Sequence, residues 1–465
     1  MKTYDKVYVA YHTHSDFSLL DSCTDYRLYI DEAANEGMKA ISISEHGRPS
    51  NWAEKKIYAE SKGLKYIHSC EIYLTESLNE KVRDNYHCVC LCKNHDGFLE
   101  LNNLISIAGT EEQFYYVPRI TFEQFMNMSD NIMTTSACLA SPLNNLSEDN
   151  PWYEKLIRKF TYLEIQPHNN QEQKDYNKKL VELAKRYNKP LIAGVDAHSL
   201  NEYKNKCRDI LLIAKHKYYG DEGFDLTWKN YDELVKAFEI QGVVSSEDYL
   251  EAINNTNVMA EQVDEFEIDP EFKYPILYGS REKDSEMFSE TVEKKFQSKI
   301  DSGIIPKSQE EAFKAAIADE MNVFKTLKME GFMLSMSELV TWAKEHGIPI
   351  GPARGSVAGS RVAYVTDIID LNPETWHTNF YRFANPDRMD AGDIDIDCID
   401  SDRPKIFKHI IDRFGAEKTA RVSAYGTLQD KATIDEIGRA LDTIYKVNKI
   451  RTKAYNSSKV RPFPS

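Results

Sequence analysis

The first 200 residues alternate short apolar runs that favour strands with longer runs that have helical periodicity. The helical runs cover 26–38 and 52–64. The strand-like runs, in order, are KVYVAYHTH, KAISISEHG, KYIHSCEIYL, YHCVCLCKN, DNIMTTSACL and KPLIAGVDAH. This alternation is typical of an α/β fold whose largely parallel sheet is either open or closed into a barrel.

The pattern changes to a mainly helical one from about residue 200 to residue 330. Its clearest amphipathic segment is EEAFKAAIADEMNVFKTLKMEGF at 310–332. The proline-bearing stretch IDPEFKYPILYG at 268–279 is the best candidate for a domain boundary. A chain of 465 residues is long enough for two or three domains.

The composition, with 42% hydrophobic and 28% charged residues, fits a soluble globular protein. No apolar run approaches the roughly 18–20 residues of a membrane span, and the N-terminus lacks the apolar stretch of a signal peptide. The eight cysteines show no disulfide framework, which indicates a reducing compartment. We therefore expect a cytoplasmic protein without a membrane partner.

Charge is distributed unevenly along the chain, whose net charge is -16. Residues 403–465 carry 14 Lys and Arg against 6 Asp and Glu, whereas 1–402 carry 44 against 68. A basic end favours contact with a phosphate backbone, and a solvated helix face is the alternative.

Polar residues of the types that bind metals recur where the early strands end. Because the carboxyl ends of barrel strands form one functional face, residues distant in sequence can meet there. A single histidine on a strand is more often structural than a ligand, but the whole series predicts a site for Zn²⁺, Mn²⁺ or Fe²⁺. The candidate metal ligands are His12, His14, Asp21, His46, Glu71, His87, Cys138, Asp196 and His198.

The motifs around these residues resemble a known domain. HTHSDFSLLD, SEHG, CEIYL, YHCVCL, SACL and GVDAH resemble, in order, motifs of the polymerase-and-histidinol-phosphatase (PHP) domain, which opens the alpha subunit of bacterial DNA polymerase III. The resemblance implies a distorted (β/α)7 barrel with all nine ligand positions filled and up to three Zn²⁺ or Mn²⁺ ions. It also implies a 3′–5′ exonuclease or another phosphoesterase. Glu45 departs from the family, which usually has Asp before the histidine.

A second group of residues begins with a glycine-rich loop, GPARGS, at 351–356. Its backbone N–H groups, the fork of Arg354 and a helix expected to start near Ser356 would suit a phosphate. A plain glycine-rich turn is the alternative, and the loop is not a Walker A motif because it lacks the GK[ST] ending.

Carboxylates follow in AGDIDIDCID, where Asp393, Asp395 and Asp397 alternate with isoleucines in a predicted strand. Arg382 and Arg388 precede them. Carboxylates on one face of a strand, together with substrate phosphates, are typical of Mg²⁺ sites for phosphoryl or nucleotidyl transfer. An acidic edge strand that prevents aggregation is the alternative.

This half of the chain resembles the palm of family-C DNA polymerases. The likeness lies in MEGFMLSMSELVTWAKEHGIPIGPARGSVAGSRVAY and in YRFANPDRMDAGDIDIDCID, and the segment at 421–442 is similar to the opening of the thumb. It implies a PHP domain at 1–270, a mixed α/β palm at 271–424 and the start of a helical thumb at 425–465.

The family's roles, carried over by motif, imply that Asp393 and Asp395 are the catalytic pair that binds Mg²⁺. They imply a supporting role for Asp397. The implied nucleotide-binding residues are Arg354, Gly355, Ser356 and Arg382. Gly392 stands where the family usually has Pro.

Family members continue beyond this point with a third catalytic Asp and with fingers. We therefore expect a split, interrupted or truncated polymerase that needs a second polypeptide for synthesis. The implied partners are a DNA primer-template, dNTP and that polypeptide, with a sliding clamp and other replisome proteins as further candidates. The alternatives are a metal-dependent 3′–5′ exonuclease and a non-catalytic replisome scaffold.

Overall fold

The computed structural model describes residues 4–79, 82–220, 223–269, 273–387, 392–422 and 424–441. They form two compact units, one from the described residues of 4–267 together with those of 427–441, and the other from those of 268–426. Each unit has a hydrophobic core of its own.

The first unit contains all eight strands of the described residues. They are β1 (Ala40–Ile41), β2 (Lys65–Tyr66), β3 (Ser69–Thr75), β4 (Tyr86–Cys92), β5 (Arg119–Thr121), β6 (Ile132–Thr135), β7 (Leu163–Ile165) and β8 (Leu191–Ala193). Its helices up to residue 261 are α1 (Tyr26–Asn35), α2 (Trp52–Ser61), α3 (His95–Ala108), α4 (Phe122–Met126), α5 (Pro142–Asn145), α6 (Tyr153–Lys159), α7 (Gln171–Tyr187), α8 (Glu202–Lys215), α9 (Tyr231–Gln241) and α10 (Ser246–Glu261).

Seven extended segments of this unit hydrogen-bond in a closed ring. The run 8–14 pairs with the run that contains β1, which pairs in turn with β2 and β3. The ring continues through β4, β6, β7 and β8. It closes where the His14 N–H donates to the carbonyl of Ala197 at 2.8 Å. The prediction of an α/β barrel is therefore confirmed.

The ring departs from a parallel barrel at β4, which runs antiparallel to both β3 and β6. The connection from β3 to β4 is too short for the crossover that parallel neighbours need, so the chain turns back as a hairpin. The run KVYVAYHTH is extended but makes only an isolated bridge, at Thr13, instead of the predicted strand. Backbone hydrogen bonds to its neighbours still hold it in the ring.

The second unit is mainly helical. Its helices are α11 (Arg281–Asp301), α12 (Glu310–Thr326), α13 (Glu330–Glu345), α14 (Arg361–Val365), α15 (Pro373–Trp376) and α16 (Arg403–Phe414), and short 3₁₀ turns cover Lys307–Gln309, Ser356–Gly359, Phe380–Arg382 and Ala416–Lys418. Phe288, Phe313 and Phe324 lie fully buried at its centre. The amphipathic segment predicted at 310–332 is broken into α12 and the start of α13, because Lys328 takes a left-handed conformation with φ 57°.

The predicted strand at 391–400 forms no ladder in the described residues, which begin again at Gly392. The segment is extended, and Cys398 makes an isolated bridge to Ile350. The side chains of Asp393, Asp395 and Asp397 are exposed, whereas those of Ile394 and Ile396 are half-buried. The expected alternation is thus present without the strand pairing.

One more helix, α17 (Asp430–Ala440), packs against α8 in the first unit. Lys215 Nζ lies 3.2 Å from Glu436 Oε1 across this contact. Within the described part of the chain, no helix is both long enough and apolar enough to cross a membrane.

Candidate functional site

The nine predicted ligands converge on one buried cluster at the barrel's strand ends. Glu71 lies at its centre and is fully buried. One of its oxygens, Oε2, is 2.9 Å from His46 Nδ1 and 3.3 Å from His14 Nε2, while the other, Oε1, is 2.6 Å from His87 Nδ1. A single carboxylate therefore faces three imidazoles.

Two aspartates join the remaining histidines to this centre. Asp196 Oδ1 lies 3.3 Å from His12 Nε2 and 3.2 Å from His14 Nε2. Asp21 Oδ2 lies 3.0 Å from His46 Nε2 and 3.4 Å from His198 Nε2.

The predicted thiol ligand completes the set, because Cys138 Sγ lies 3.5 Å from His87 Nδ1. Every member of the predicted set thus has another member within hydrogen-bonding range.

The chemistry of the cluster suits metal ions. Three groups have ligand atoms within 4.8 Å of one another, namely His14 with His46 and His198, His12 with His14 and Glu71, and His46 with Glu71 and His87. Several buried atoms here lie close to one another but form no hydrogen bond in the described residues: His12 Nε2, His14 Nε2, His46 Nδ1, Glu71 Oε2 and Asp196 Oδ1. Such orphaned polar atoms are costly unless something else binds them, and a cation between them would do so.

Burial and mutual charge shift the pKa values of these groups in different directions. Burial and the neighbouring imidazoles of His46 and His198 lower the pKa of His14 to about 3. Burial also opposes the charged form of His46, but the carboxylates of Glu71 and Asp21 outweigh it and raise its pKa to about 10. Burial raises the pKa of the Cys138 thiol well above its usual range. Neutral imidazoles and charged carboxylates are the forms that bind metals.

Two residues that support the cluster were missed by the sequence analysis. Glu164 accepts a hydrogen bond from His12 Nδ1 at 2.5 Å, and Arg208 Nη2 donates to Asp21 Oδ1 at 2.5 Å. Both are buried. Glu164 follows the same pattern as the ligands, a polar residue in a short apolar run (YLEIQ), and that run was not recognised as a strand.

The cluster is reached from one side, since the side chains of His46 and His87 are 17% exposed while those of His12 and His14 are fully buried. Gly47 sits beside this opening, with no room for a Cβ against Pro118 and Tyr73. Two residues before Pro118, the ring of Tyr116 lies 3.7 Å from the guanidinium of the exposed Arg83.

In the second unit, the glycine-rich loop lies against two of the aspartates. A Cβ on Gly355, whose φ is 72°, would lie 3.1 Å from Asp395 Oδ2. Arg354 Nη1 is 2.5 Å from Asp397 Oδ1, and Arg354 Nε is 3.7 Å from Asp395 Oδ2. The structure thus brings together Arg354, Gly355 and Asp395.

The prediction of a helix that starts near Ser356 is wrong in detail. Ser356 begins a four-residue 3₁₀ turn, and the next helix, α14, starts at Arg361. Glu320 occupies the N-terminus of α14, where it accepts hydrogen bonds from the N–H groups of Arg361 and Val362 at 2.9 and 3.0 Å. Those donors are therefore not available to a phosphate.

The other predicted palm residues are less closely placed. Arg382 ends a 3₁₀ turn and, like Asp393, is exposed, and no contact joins either of them to Arg354 among the described residues. Gly392 packs against Phe383, where an added Cβ would lie 2.6 Å from the carbonyl oxygen. Arg388 lies outside the described residues.

Comparisons with known proteins cover both units. Residues 10–189 match the family described as the PHP domain, and residues 286–462 match the family described as the bacterial DNA polymerase III alpha NTPase domain. The DNA polymerase III subunit alpha of Borreliella burgdorferi is 30% identical over 477 residues, which cover 96% of this chain and 40% of that protein. That of Aquifex aeolicus is 29% identical over 475 residues, covering 95% of this chain and 40% of the relative.

Likeness to solved structures is weak. An amidohydrolase structure from Chromobacterium violaceum matches 42% of this chain and 88% of its own at 14% identity, with a TM-score of 0.30, too low to bear on function. The chain spans about two fifths of the length of the curated relatives that it matches. In the same order as the sequence motifs, the chain thus carries a region that matches the PHP domain and a region that matches the bacterial DNA polymerase III alpha NTPase domain, and it is similar over nearly its whole length to DNA polymerase III alpha subunits.

Proposed function

We propose that this chain is a polymerase polypeptide of family C that takes part in nucleotidyl transfer to a DNA 3′ end. Its similarity to alpha subunits over 95–96% of its length supports the proposal. So does the contact of the glycine-rich loop with Asp395, because a loop and a carboxylate so placed could hold a triphosphate between them.

In this proposal, the residues of the second unit divide the work. Asp393 and Asp395 are exposed carboxylates that would hold Mg²⁺, which neutralises the charge developing on the phosphates. Gly355 leaves space beside Asp395, and Arg354 has two of its nitrogens near Asp395 and Asp397, where its fork could meet phosphate oxygens. Ser356 and Arg382 would add donors at the edge of the site.

We further propose that a second polypeptide takes part in synthesis together with this chain. The DNA primer-template and dNTP would then be shared between the two chains. A sliding clamp and other replisome proteins are candidate partners in the same assembly.

Primer extension by the tagged chain isolated from its native cells tests this proposal. The measurement uses a primed DNA template, dNTP and Mg²⁺. Extension by the wild-type preparation and none by a preparation carrying Asp393→Asn with Asp395→Asn would support it. Equal extension by both would show that the activity belongs to another polymerase.

A second activity is favoured by the geometry of the barrel. We propose that the nine-residue cluster makes the first unit a metal-dependent phosphoesterase that removes nucleotides from DNA 3′ ends. The observation that carries this is the convergence of all nine ligand-type side chains, with orphaned nitrogen and oxygen atoms facing one another.

Zn²⁺ or Mn²⁺ held by these residues would supply an activated water and would polarise the scissile phosphate. The protein's own contribution is to hold the ligands in place. Arg208 orients Asp21, and Glu71 is fixed between His46 and His87. The more exposed imidazoles, His46 and His87, lie where a phosphate would enter.

The surroundings of the opening suit a single-stranded nucleic acid. Tyr116 is 62% exposed and lies under Arg83, and Arg48, two residues after His46, is also exposed. The Tyr219 hydroxyl donates to the carbonyl of Leu20, next to Asp21. Aromatic rings between cationic side chains are typical of surfaces on which bases stack and backbones bind.

Binding of a fluorescent single-stranded oligonucleotide, with and without Mn²⁺, tests this substrate. We expect Tyr116→Ala to weaken binding about tenfold, the size of one base-stacking contact. Tyr203→Ala is the control, since Tyr203 is a tyrosine on α8 that is 72% exposed. Equal affinity in both variants and the wild type would contradict this route to the site.

A further inference from the structure

A buried carboxylate lies behind the metal cluster, on the side away from the opening. Glu164, in the middle of β7, is fully buried. Its Oε1 is 2.5 Å from His12 Nδ1, and Gln166 Nε2 donates to the same oxygen at 2.9 Å. The Thr135 hydroxyl donates to Oε2 at 2.6 Å. Three neighbours thus hold Glu164 in a single orientation.

Gly194, which follows β8, provides the space for this carboxylate. An added Cβ at Gly194 would lie 2.6 Å from Glu164 Cδ and closer still to Oε1. The backbone of Gly194 has no left-handed conformation that would itself require glycine. The absence of a side chain at 194 is therefore explained by the position of Glu164.

Glu164 and the cluster face different nitrogens of His12, Glu164 facing Nδ1 and the cluster facing Nε2. When Nδ1–H donates to Glu164, the lone pair of Nε2 points toward Asp196 Oδ1 at 3.3 Å and Glu71 Oε2 at 3.7 Å. His12 Nε2 is one of the orphaned atoms there. A carboxylate bound to the far nitrogen of a ligand histidine fixes its tautomer and its ring orientation.

We propose that Glu164, in the space left by Gly194, is a positioning residue that sets the tautomer of His12 and thereby the metal affinity of the barrel. The proposal rests on the metal-dependent function proposed above. In this proposal, Glu164 and Gly194 affect metal binding without contacting the metal.

The test is the affinity of the purified full chain for Mn²⁺, measured by equilibrium dialysis. We expect Glu164→Ala and Gly194→Ala each to weaken binding about 10- to 100-fold, as for other residues behind metal ligands. Glu164→Gln, which keeps an oxygen opposite Nδ1 but loses the charge, should weaken it less than Glu164→Ala. Gly109→Ala, where nothing lies within 3.4 Å of the added Cβ, should leave it unchanged.

A double-mutant cycle shows whether Gly194 acts through Glu164. Because Glu164→Ala removes the side chain that the methyl group added by Gly194→Ala would strike, the double variant should bind Mn²⁺ no more weakly than Glu164→Ala alone. If the two losses of Mn²⁺ affinity multiply in the double variant, Gly194 does not act through Glu164. Folded variants that bind Mn²⁺ with wild-type affinity would overturn the role of Glu164. If Glu164→Ala does not fold, the Mn²⁺ affinities of Glu164→Gln and Gly194→Ala still test the role of Glu164.

The proposed reaction can fail separately. Wild-type protein that binds no Mn²⁺ would overturn both the metal-dependent barrel and the role of Glu164. The expected order of affinities without any digestion of DNA would support the role of Glu164 and overturn only the reaction.

Discussion

Arg354 Nη1 lies 2.5 Å from Asp397 Oδ1, so the arginine that would meet a triphosphate is paired with a carboxylate. Both side chains are more than half exposed, and an exposed pair of this kind contributes little to stability because solvent screens it. The pair therefore restrains Arg354 without binding it tightly.

Replacement of Asp397 by Asn should release Arg354. We expect dNTP to bind a few times more tightly, because the guanidinium no longer has to leave a carboxylate, and we expect the melting temperature to stay the same. Titration with a fluorescent dNTP in the presence of Mg²⁺ measures this. Binding weakened tenfold or more would show that Asp397 is a metal ligand and not a supporting residue.

Glu320 should make the stability of the second unit depend on pH. Burial raises its pKa to about 7, against the effect of the Arg361 and Val362 N–H groups and of the Ser360 hydroxyl, which favour the charged form. Because the pKa of Glu320 in the folded state exceeds the unfolded value of 4.5, the stability that its protonation contributes is fully present below pH 4.5. It is lost as the pH rises through about 7, by at most about 3 kcal/mol.

The Glu320→Gln variant should lack this loss. The free energy of unfolding is measured by chemical denaturation for wild type and variant at pH 5 and pH 8. The difference between the two proteins removes the effect of all other titrating groups. Identical pH dependence in both would contradict the assignment of a raised pKa to Glu320.

Lys55 and Glu45 form an ion pair inside the barrel, with Nζ 2.5 Å from Oε1 and both side chains almost fully buried. Replacement of Lys55 by Met leaves the Glu45 carboxylate buried without its cation, so we expect a loss of about 3–5 kcal/mol in the free energy of unfolding. Denaturant unfolding measures it.

The double variant Lys55→Met with Glu45→Gln should recover much of that stability, because no uncompensated charge remains. A single variant as stable as the wild type would show that water or another group compensates Glu45. This pair also bears on the site, since Glu45 accepts hydrogen bonds from Ser15 and Ser18, and Ser18 contacts His14.

How far the sequence predicts the site depends on the element that carries each residue. The rule that ligands follow strands identified His12, His46 and Asp196, because each ends a recognisable apolar run. Glu164 was missed because β7 has only three residues, and its run YLEIQ was not recognised as a strand.

The second unit was predicted less well, for a different physical reason. The periodicity at 310–332 is continuous, and only the left-handed backbone at Lys328 divides it into two helices. Likewise, the small residues around Ser356 suggest a helix N-terminus open to phosphate, but a carboxylate from α12, Glu320, occupies the N-terminus of the helix that follows. In the second case, a contact between distant segments overrides the local pattern.

The two proposed sites should be separable by mutation. His12→Ala with His14→Ala should remove Mn²⁺ and nuclease activity and leave dNTP binding intact. Asp393→Asn with Asp395→Asn should do the reverse. Paired assays of Mn²⁺ content and dNTP binding on each variant test this, and loss of both properties in either variant would indicate a folding defect or a wrong assignment of the units.

The central claim, that the nine-residue cluster is a working metal centre, is tested most directly on the purified 465-residue chain. Metal content is determined together with digestion of 3′-labelled single-stranded and mismatched DNA, with and without Mn²⁺. We predict bound metal in the wild type and digestion that disappears in His12→Ala. Metal-free wild-type protein, or digestion that His12→Ala leaves unchanged, would contradict it.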